Sequence, residues 1–143
     1  MRRAITAVMS AAALALPTTN AYAATVATPK TKVVTARKSF TGTAGSAGRW
    51  GEVQVTIVVK KTTTTSLTTK KKTVKRKITA VKVPVYPDHT DRSVFINQQA
   101  LPILIEETMQ AQSSGIDMVS GATDTSGGFQ QSLQAAILRA KSW

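Results

Sequence analysis

Between Glu52 and Lys60 the chain alternates, with Val53, Val55, Ile57 and Val59 at odd positions and Glu52, Gln54, Thr56 and Lys60 at even ones. Successive side chains of an extended chain point to opposite faces, so this run predicts a half-buried antiparallel strand. Val58 is the exception. A second strand is predicted over Lys77–Tyr86, with Val81, Val83 and Val85 on one side and Ala80, Lys82 and Pro84 on the other. Ile78 falls out of phase, which hints at a bulge. Pro84 has no N–H to donate, so this strand is an edge or ends there.

A sheet with one apolar face needs a cover, and two helical patterns supply it. The first is introduced by Leu101-Pro102 and runs to about Gln112, with the proline placed in the first turn. Its Leu101, Leu104, Ile105, Thr108 and Met109 share one side, while Glu106, Glu107 and Gln110 take the other. The second runs from about Ser126 to Lys141, with Phe129, Leu133, Ala136, Ile137 and Ala140 as its apolar stripe. Gly127 and Gly128 weaken its start, and Arg139 and Lys141 suit its negative end. The expected fold is α+β, a small antiparallel sheet with two C-terminal helices packed on one face.

The chain has 143 residues, enough for one domain. It contains no cysteine, one histidine and seven acidic residues, which excludes disulfides, thiolate metal sites and a Cys nucleophile and makes zinc hydrolysis a poor match. His89 lies in the turn sequence Tyr86–Asp91 and reads as solvent-facing. At the start, Arg2 and Arg3 precede the apolar stretch Ala4–Leu16, Pro17 and the small-x-small triplet Ala21-Tyr22-Ala23, the pattern of a signal peptide covering residues 1–23. As a helix, that stretch would be about 20 Å long, short of a ~30 Å hydrocarbon core. Export is the expectation. Residues 24–38 lack periodicity and read as a mobile lead-in, with order beginning near Phe40. Gly42, Gly45, Gly48 and Gly51 follow, and a strand entering a tight turn explains them better than a phosphate loop, since no Lys-Ser/Thr pair comes after.

Lysine and arginine number 19, for a formal charge of +12. Much of the excess lies in the Thr/Lys tract Lys61–Arg76, which includes Lys70-Lys71-Lys72. Such a tract cannot build a core, so a solvated extension or a ragged hairpin is expected. Its functional reading is contact with an anionic wall or membrane surface. Aromatic interleaving is missing, and together with export this argues against nucleic acid.

Between the two helices lies Gly115-Ile116-Asp117-Met118-Val119-Ser120-Gly121-Ala122-Thr123-Asp124-Thr125-Ser126. Backbone N–H groups at a helix N-terminus lack intrahelical partners and carry the positive end of the macrodipole, so a phosphate is favoured there. The same residues also suit a plain N-cap at Thr125 or Ser126. The segment Asp117-Met118-Val119-Ser120-Gly121-Ala122-Thr123 resembles the flavinylation motif Asp-x-x-Ser/Thr-Gly-Ala-Thr of FMN-binding domain proteins, the family that includes the covalently flavinylated subunits of sodium-pumping and Rnf-type electron-transfer complexes. The likeness extends through Phe40-Thr41-Gly42, Trp50-Gly51, Lys77–Val81, Ala100-Leu101-Pro102 and Thr125-Ser126, and covers about Ser39 to Ala140. It implies an FMN-binding domain over residues 39–143, with 61–76 as an insertion where the family has a short turn.

The resemblance further implies FMN joined by a phosphodiester to Thr123, placed there by an FAD:protein FMN transferase that uses magnesium and releases AMP. Asp117 is then the motif carboxylate, Ser120, Gly121 and Ala122 line the phosphate, and Thr125 or Ser126 caps the helix. Asp124 is expected to point to solvent. Trp50 and Phe129 are candidates to stack on the flavin ring, although each also reads as a core aromatic. No acid/base pair aimed at a substrate is evident, so the implied role is a carrier, moving electrons between a membrane reductase and an extracytoplasmic acceptor. No spanning segment follows the leader, so docking is expected to differ from that of the membrane complexes. Two alternatives stand beside this reading: the same fold holding FMN non-covalently, and a basic wall- or membrane-adhering module with no cofactor.

Overall fold

The computed structural model describes residues 30–143; the expected signal peptide at 1–23 and the first part of the lead-in lie outside the described residues. In chain order the elements are β1 (Thr31–Thr41), β2 (Gly45–Ser46), a 3-10 turn (Gly48–Trp50), β3 (Glu52–Ser66), β4 (Lys72–Val85), α1 (Asp91–Ala111) and α2 (Thr123–Lys141). The strands form one four-stranded antiparallel sheet in which β3 pairs with β1, β2 and β4. β2 is set against the start of β3, Gly45 opposite Val53 and Ser46 opposite Glu52. Two compact units divide the chain: residues 33–63 with 73–143, and a small unit whose described residues are 30–32 and 64–72.

The larger unit holds the core. Val53, Val55, Ile57 and Val59 are all buried, as their alternation predicts, and meet Phe129, Leu133, Ala136 and Ala140 of α2 and Leu101 and Leu104 of α1. Each of the Val, Ile, Leu and Phe side chains removed from water contributes about 1.5–3 kcal/mol. Ile78 and Val81 of β4 are both buried although three residues apart, a spacing a regular strand would split between its faces. β4 pairs only with β3, and this edge position accommodates Pro84.

Close backbone contact fixes α2 on the sheet. A Cβ on Gly42 would stand 1.9 Å from the Ser132 carbonyl oxygen, and one on Gly45 would stand 2.0 Å from that of Gly128. Glycine is required at both positions because a helix lies directly on the backbone there. The buried Ser132 hydroxyl accepts a hydrogen bond from the Val55 N–H at 2.8 Å, and the Gly42 N–H donates to the Val55 carbonyl at 2.9 Å. The glycines thus serve packing in and beside a strand, in line with the strand-and-turn reading.

Three expectations are corrected. Residues 31–38, read as part of a mobile lead-in, belong to β1; they are exposed throughout, so backbone pairing holds the strand without leaving a hydrophobic pattern. Of the two forms expected for the Thr/Lys tract, the hairpin is the one found: β3 continues to Ser66 and β4 resumes at Lys72. Helix α1 begins at Asp91, not near Leu101, and Pro102 lies inside it. Its N-cap is Thr90, whose hydroxyl accepts from the Ser93 N–H at 3.1 Å. Helix α2 begins at Thr123, three residues before the expected start.

In the small unit, the Ser66 N–H donates to the Lys71 carbonyl at 2.8 Å and the Leu67 N–H donates to the Lys30 carbonyl at 2.7 Å. Lys70 takes a left-handed conformation, φ 59°, to close the turn.

Candidate functional site

Helix α1 ends on Gln112 in a left-handed conformation, and its side chain binds the edge strand: Oε1 accepts from the Ile78 N–H at 2.7 Å while Nε2 donates to the Ile78 carbonyl at 3.1 Å. The chain then passes the buried Ile116 and reaches α2 through a short turn in which the Ala122 N–H donates to the Val119 carbonyl at 3.0 Å. Gly121 has φ 81°, with nothing within 4 Å of where a Cβ would be. It is required by the turn and leaves the space beside the backbone open. Ser126 fastens the turn from beneath, its hydroxyl donating to the Ala122 carbonyl at 2.8 Å and accepting from the Val119 N–H at 3.0 Å.

The N-cap of α2 is Ala122, which has no side-chain oxygen, so the expected cap at Thr125 or Ser126 is not formed. Ser126 is one turn inside the helix and Thr125 turns to α1. Among the described residues, the backbone N–H groups of Thr123, Asp124 and Thr125 have no hydrogen-bond partner. Three donors and the positive helix end therefore face outward together.

Against this helix end lies a cavity of about 270 Å³. Residues 121–125 form its floor, Arg92 and Ile96 of α1 form one wall, and Trp50 and Pro87 complete it. The walls are held in register by Asn97, which is 1% exposed. Its Nδ2 donates to the Pro87 carbonyl at 2.7 Å, and its Oδ1 accepts from the Thr125 hydroxyl at 2.8 Å. The Arg49 guanidinium lies over the Trp50 ring, 4.7 Å from its centre.

Of the residues predicted from the motif, Gly121, Ala122, Thr123 and Thr125 line the cavity. Asp117, Ser120 and Ser126 do not. Asp117 is exposed and its N–H donates to the Glu107 carboxylate at 3.1 Å; Ser120 is exposed and Ser126 is wholly buried. Asp124 is exposed, as expected, yet it also lines the cavity, near Gly48. Trp50 is half-buried at the cavity, whereas Phe129 is sealed in the core and cannot reach a ligand there. Arg92, Ile96, Asn97 and Pro87 are additions that the sequence reading missed. The signal for the first three was the Thr90-to-Ser93 cap, which begins α1 early enough to bring them to the site.

A family model described as the FMN-binding domain matches residues 48–138, a span that includes Trp50, all of α1 and the N-terminus of α2. The chain belongs to the FMN-binding domain family. FMN is accordingly its cofactor, and the protein is a flavin-binding protein. A search of curated proteins gives no significant match.

The residues present fit FMN. Its phosphate suits the three outward N–H donors and the Arg92 guanidinium, and the open backbone at Gly121 admits a bulky group. Trp50, Pro87 and Ile96 supply apolar surface suited to a flat ring. The Thr123 hydroxyl is exposed and, among the described residues, makes no hydrogen bond.

Proposed function

We propose that this FMN-binding domain is an exported electron carrier whose FMN is linked covalently, through a phosphodiester, to Thr123. The observation that carries the reading is the position of the Thr123 hydroxyl: uncommitted, exposed, and on the first residue of a helix whose N-terminal donors point into the same cavity. In attachment, the Thr123 Oγ1 bonds to the phosphorus on the FMN side of the FAD pyrophosphate. The anhydride bond breaks, AMP leaves, and the hydroxyl proton is released; an FAD:protein FMN transferase with magnesium provides the catalysis.

The chain's own residues then hold the product. The N–H groups of Thr123, Asp124 and Thr125 and the helix dipole stabilise the phosphodiester charge, with Arg92 as the nearby cation. Asp124 opposes that charge and is kept exposed, where solvent screens it. Bound FMN supplies one- and two-electron redox chemistry, and the protein contributes position and surroundings. Exposed residues at the mouth, including Arg92 and Thr123, leave the site open to partner proteins, as exchange with a membrane reductase and an extracytoplasmic acceptor requires. A tether also prevents loss of the cofactor outside the cell, in keeping with the leader-like residues 1–23.

Intact mass after co-production with the transferase tests the reading. The wild-type chain is expected to gain FMN less one water and to carry flavin fluorescence through denaturing electrophoresis. Thr123→Ser should still accept the group, and Thr123→Ala should not. Fluorescence lost on denaturation would favour non-covalent FMN; colourless protein of unmodified mass from the native host would overturn the carrier role.

A further inference from the structure

None of the residues of the small unit, 30–32 and 64–72, lines the flavin cavity. Five of them are lysines, Lys30, Lys32, Lys70, Lys71 and Lys72, and none is acidic. The Leu67-to-Lys30 and Ser66-to-Lys71 backbone bonds gather these cations around one hairpin turn. At that turn sits Leu67, 51% exposed, flanked only by Thr64, Thr65, Ser66, Thr68 and Thr69. A tip that merely stayed solvated would need no leucine, and burying this one gains free energy in any apolar medium.

Cations alone would suit any polyanion, and stacking aromatics that would favour nucleic acid are missing from residues 30–32 and 64–72. An exposed aliphatic at a lysine-rich turn matches a bilayer interface, where the apolar group enters the acyl boundary and the ammonium groups stay among the lipid phosphates. We propose that this hairpin tip docks the protein on an anionic phospholipid bilayer, with Leu67 as the inserting group and Lys30, Lys32, Lys70, Lys71 and Lys72 as the headgroup contacts. Among the described residues no helix is long and apolar enough to cross a membrane, and the proposed contact is made at the bilayer surface. It is independent of flavin attachment at Thr123, so each can fail without the other.

Co-sedimentation with vesicles tests it, using the chain purified from its native host. Vesicles of phosphatidylglycerol in phosphatidylcholine should bind the protein at low salt and release it at high salt, and pure phosphatidylcholine should not bind it. At roughly fivefold per lysine, changing Lys70, Lys71 and Lys72 together to Gln should weaken binding on the order of 100-fold. Leu67→Ser should weaken it about fivefold, half the side chain being already covered. Circular dichroism checks that these turn variants remain folded. Equal binding to neutral and anionic vesicles would overturn the proposal. So would a Leu67→Ser variant that binds anionic vesicles as well as wild type while soluble polyglycerol phosphate competes fully, an outcome that assigns the tip to polyanionic polymers.

Discussion

Asn97 is the buried polar group on which the site's geometry turns, and its removal can be worked through from the contacts it makes. Its two hydrogen bonds, 2.7 Å to the Pro87 carbonyl and 2.8 Å from the Thr125 hydroxyl, are both buried and connect two sides of the cavity. Asn97→Ala deletes both and leaves Pro87 and Thr125 with polar atoms that have lost their partner. A net hydrogen bond contributes about 1 kcal/mol and an orphaned buried group costs about 1–3 kcal/mol, so a total near 3 kcal/mol is expected. Thr125→Val strands only the Asn97 Oδ1 and should cost about 1–2 kcal/mol. Because the two residues share one bond, the double variant should fall short of the summed losses by about 1 kcal/mol. Urea unfolding followed by far-UV circular dichroism measures all four corners of the cycle, with an unchanged slope confirming that the native and denatured ensembles compare. Strict additivity, or an Asn97→Ala cost below about 0.5 kcal/mol, would show that the bond does not hold the cavity together.

Two further outcomes follow from the backbone contacts. Gly45→Ala places a Cβ 2.0 Å from the Gly128 oxygen, so α2 must retreat by more than 1 Å; a loss at or above the ~1–3 kcal/mol usual for overpacking is expected, with a lower thermal midpoint and weaker flavin retention. Gly127→Ala meets nothing within 4 Å and should instead stabilise α2 by up to about 1 kcal/mol. Equal midpoints for the two variants would contradict the packing of α2 on β2. Gln112→Ala removes the bonds to Ile78 and that from Nε2 to the Met109 carbonyl at 2.7 Å. It should cost about 2 kcal/mol and accelerate amide exchange at Ile78 selectively, whereas unchanged exchange there would show the edge is protected by other means.

What the sequence disclosed, and what it hid, has a common physical cause. β3 was legible because one of its faces is buried and the other is not, which imprints a period of two on the side chains. β1 left no such imprint: residues 31–39 are exposed on both faces, and only backbone pairing orders them. The first ten residues of α1 were hidden because Ser93 and Asn97, its buried residues there before Ala100, are polar, and because Pro102 marks a first turn more often than an interior. The motif itself could be read, yet its residues divide in space. Gly121, Ala122, Thr123 and Thr125 reach the cavity, while Ser126 braces the turn below it and Asp117 stands apart.

The start of α2 was misjudged for the reason most informative about function. Helices generally begin on a residue whose side chain satisfies an early N–H, and no such residue stands at 122. A serine there would stabilise the helix by about 1 kcal/mol relative to alanine, and its oxygen would occupy a donor of the first turn. The alanine forgoes that gain and leaves the donors of Thr123, Asp124 and Thr125, residues that line the cavity, without partners among the described residues. A local rule broken beside a cavity, with no compensating contact from the protein itself, is what a site completed by its ligand looks like. A phosphate repays the deficit, since it returns both the missing cap and the negative charge that a helix N-terminus favours.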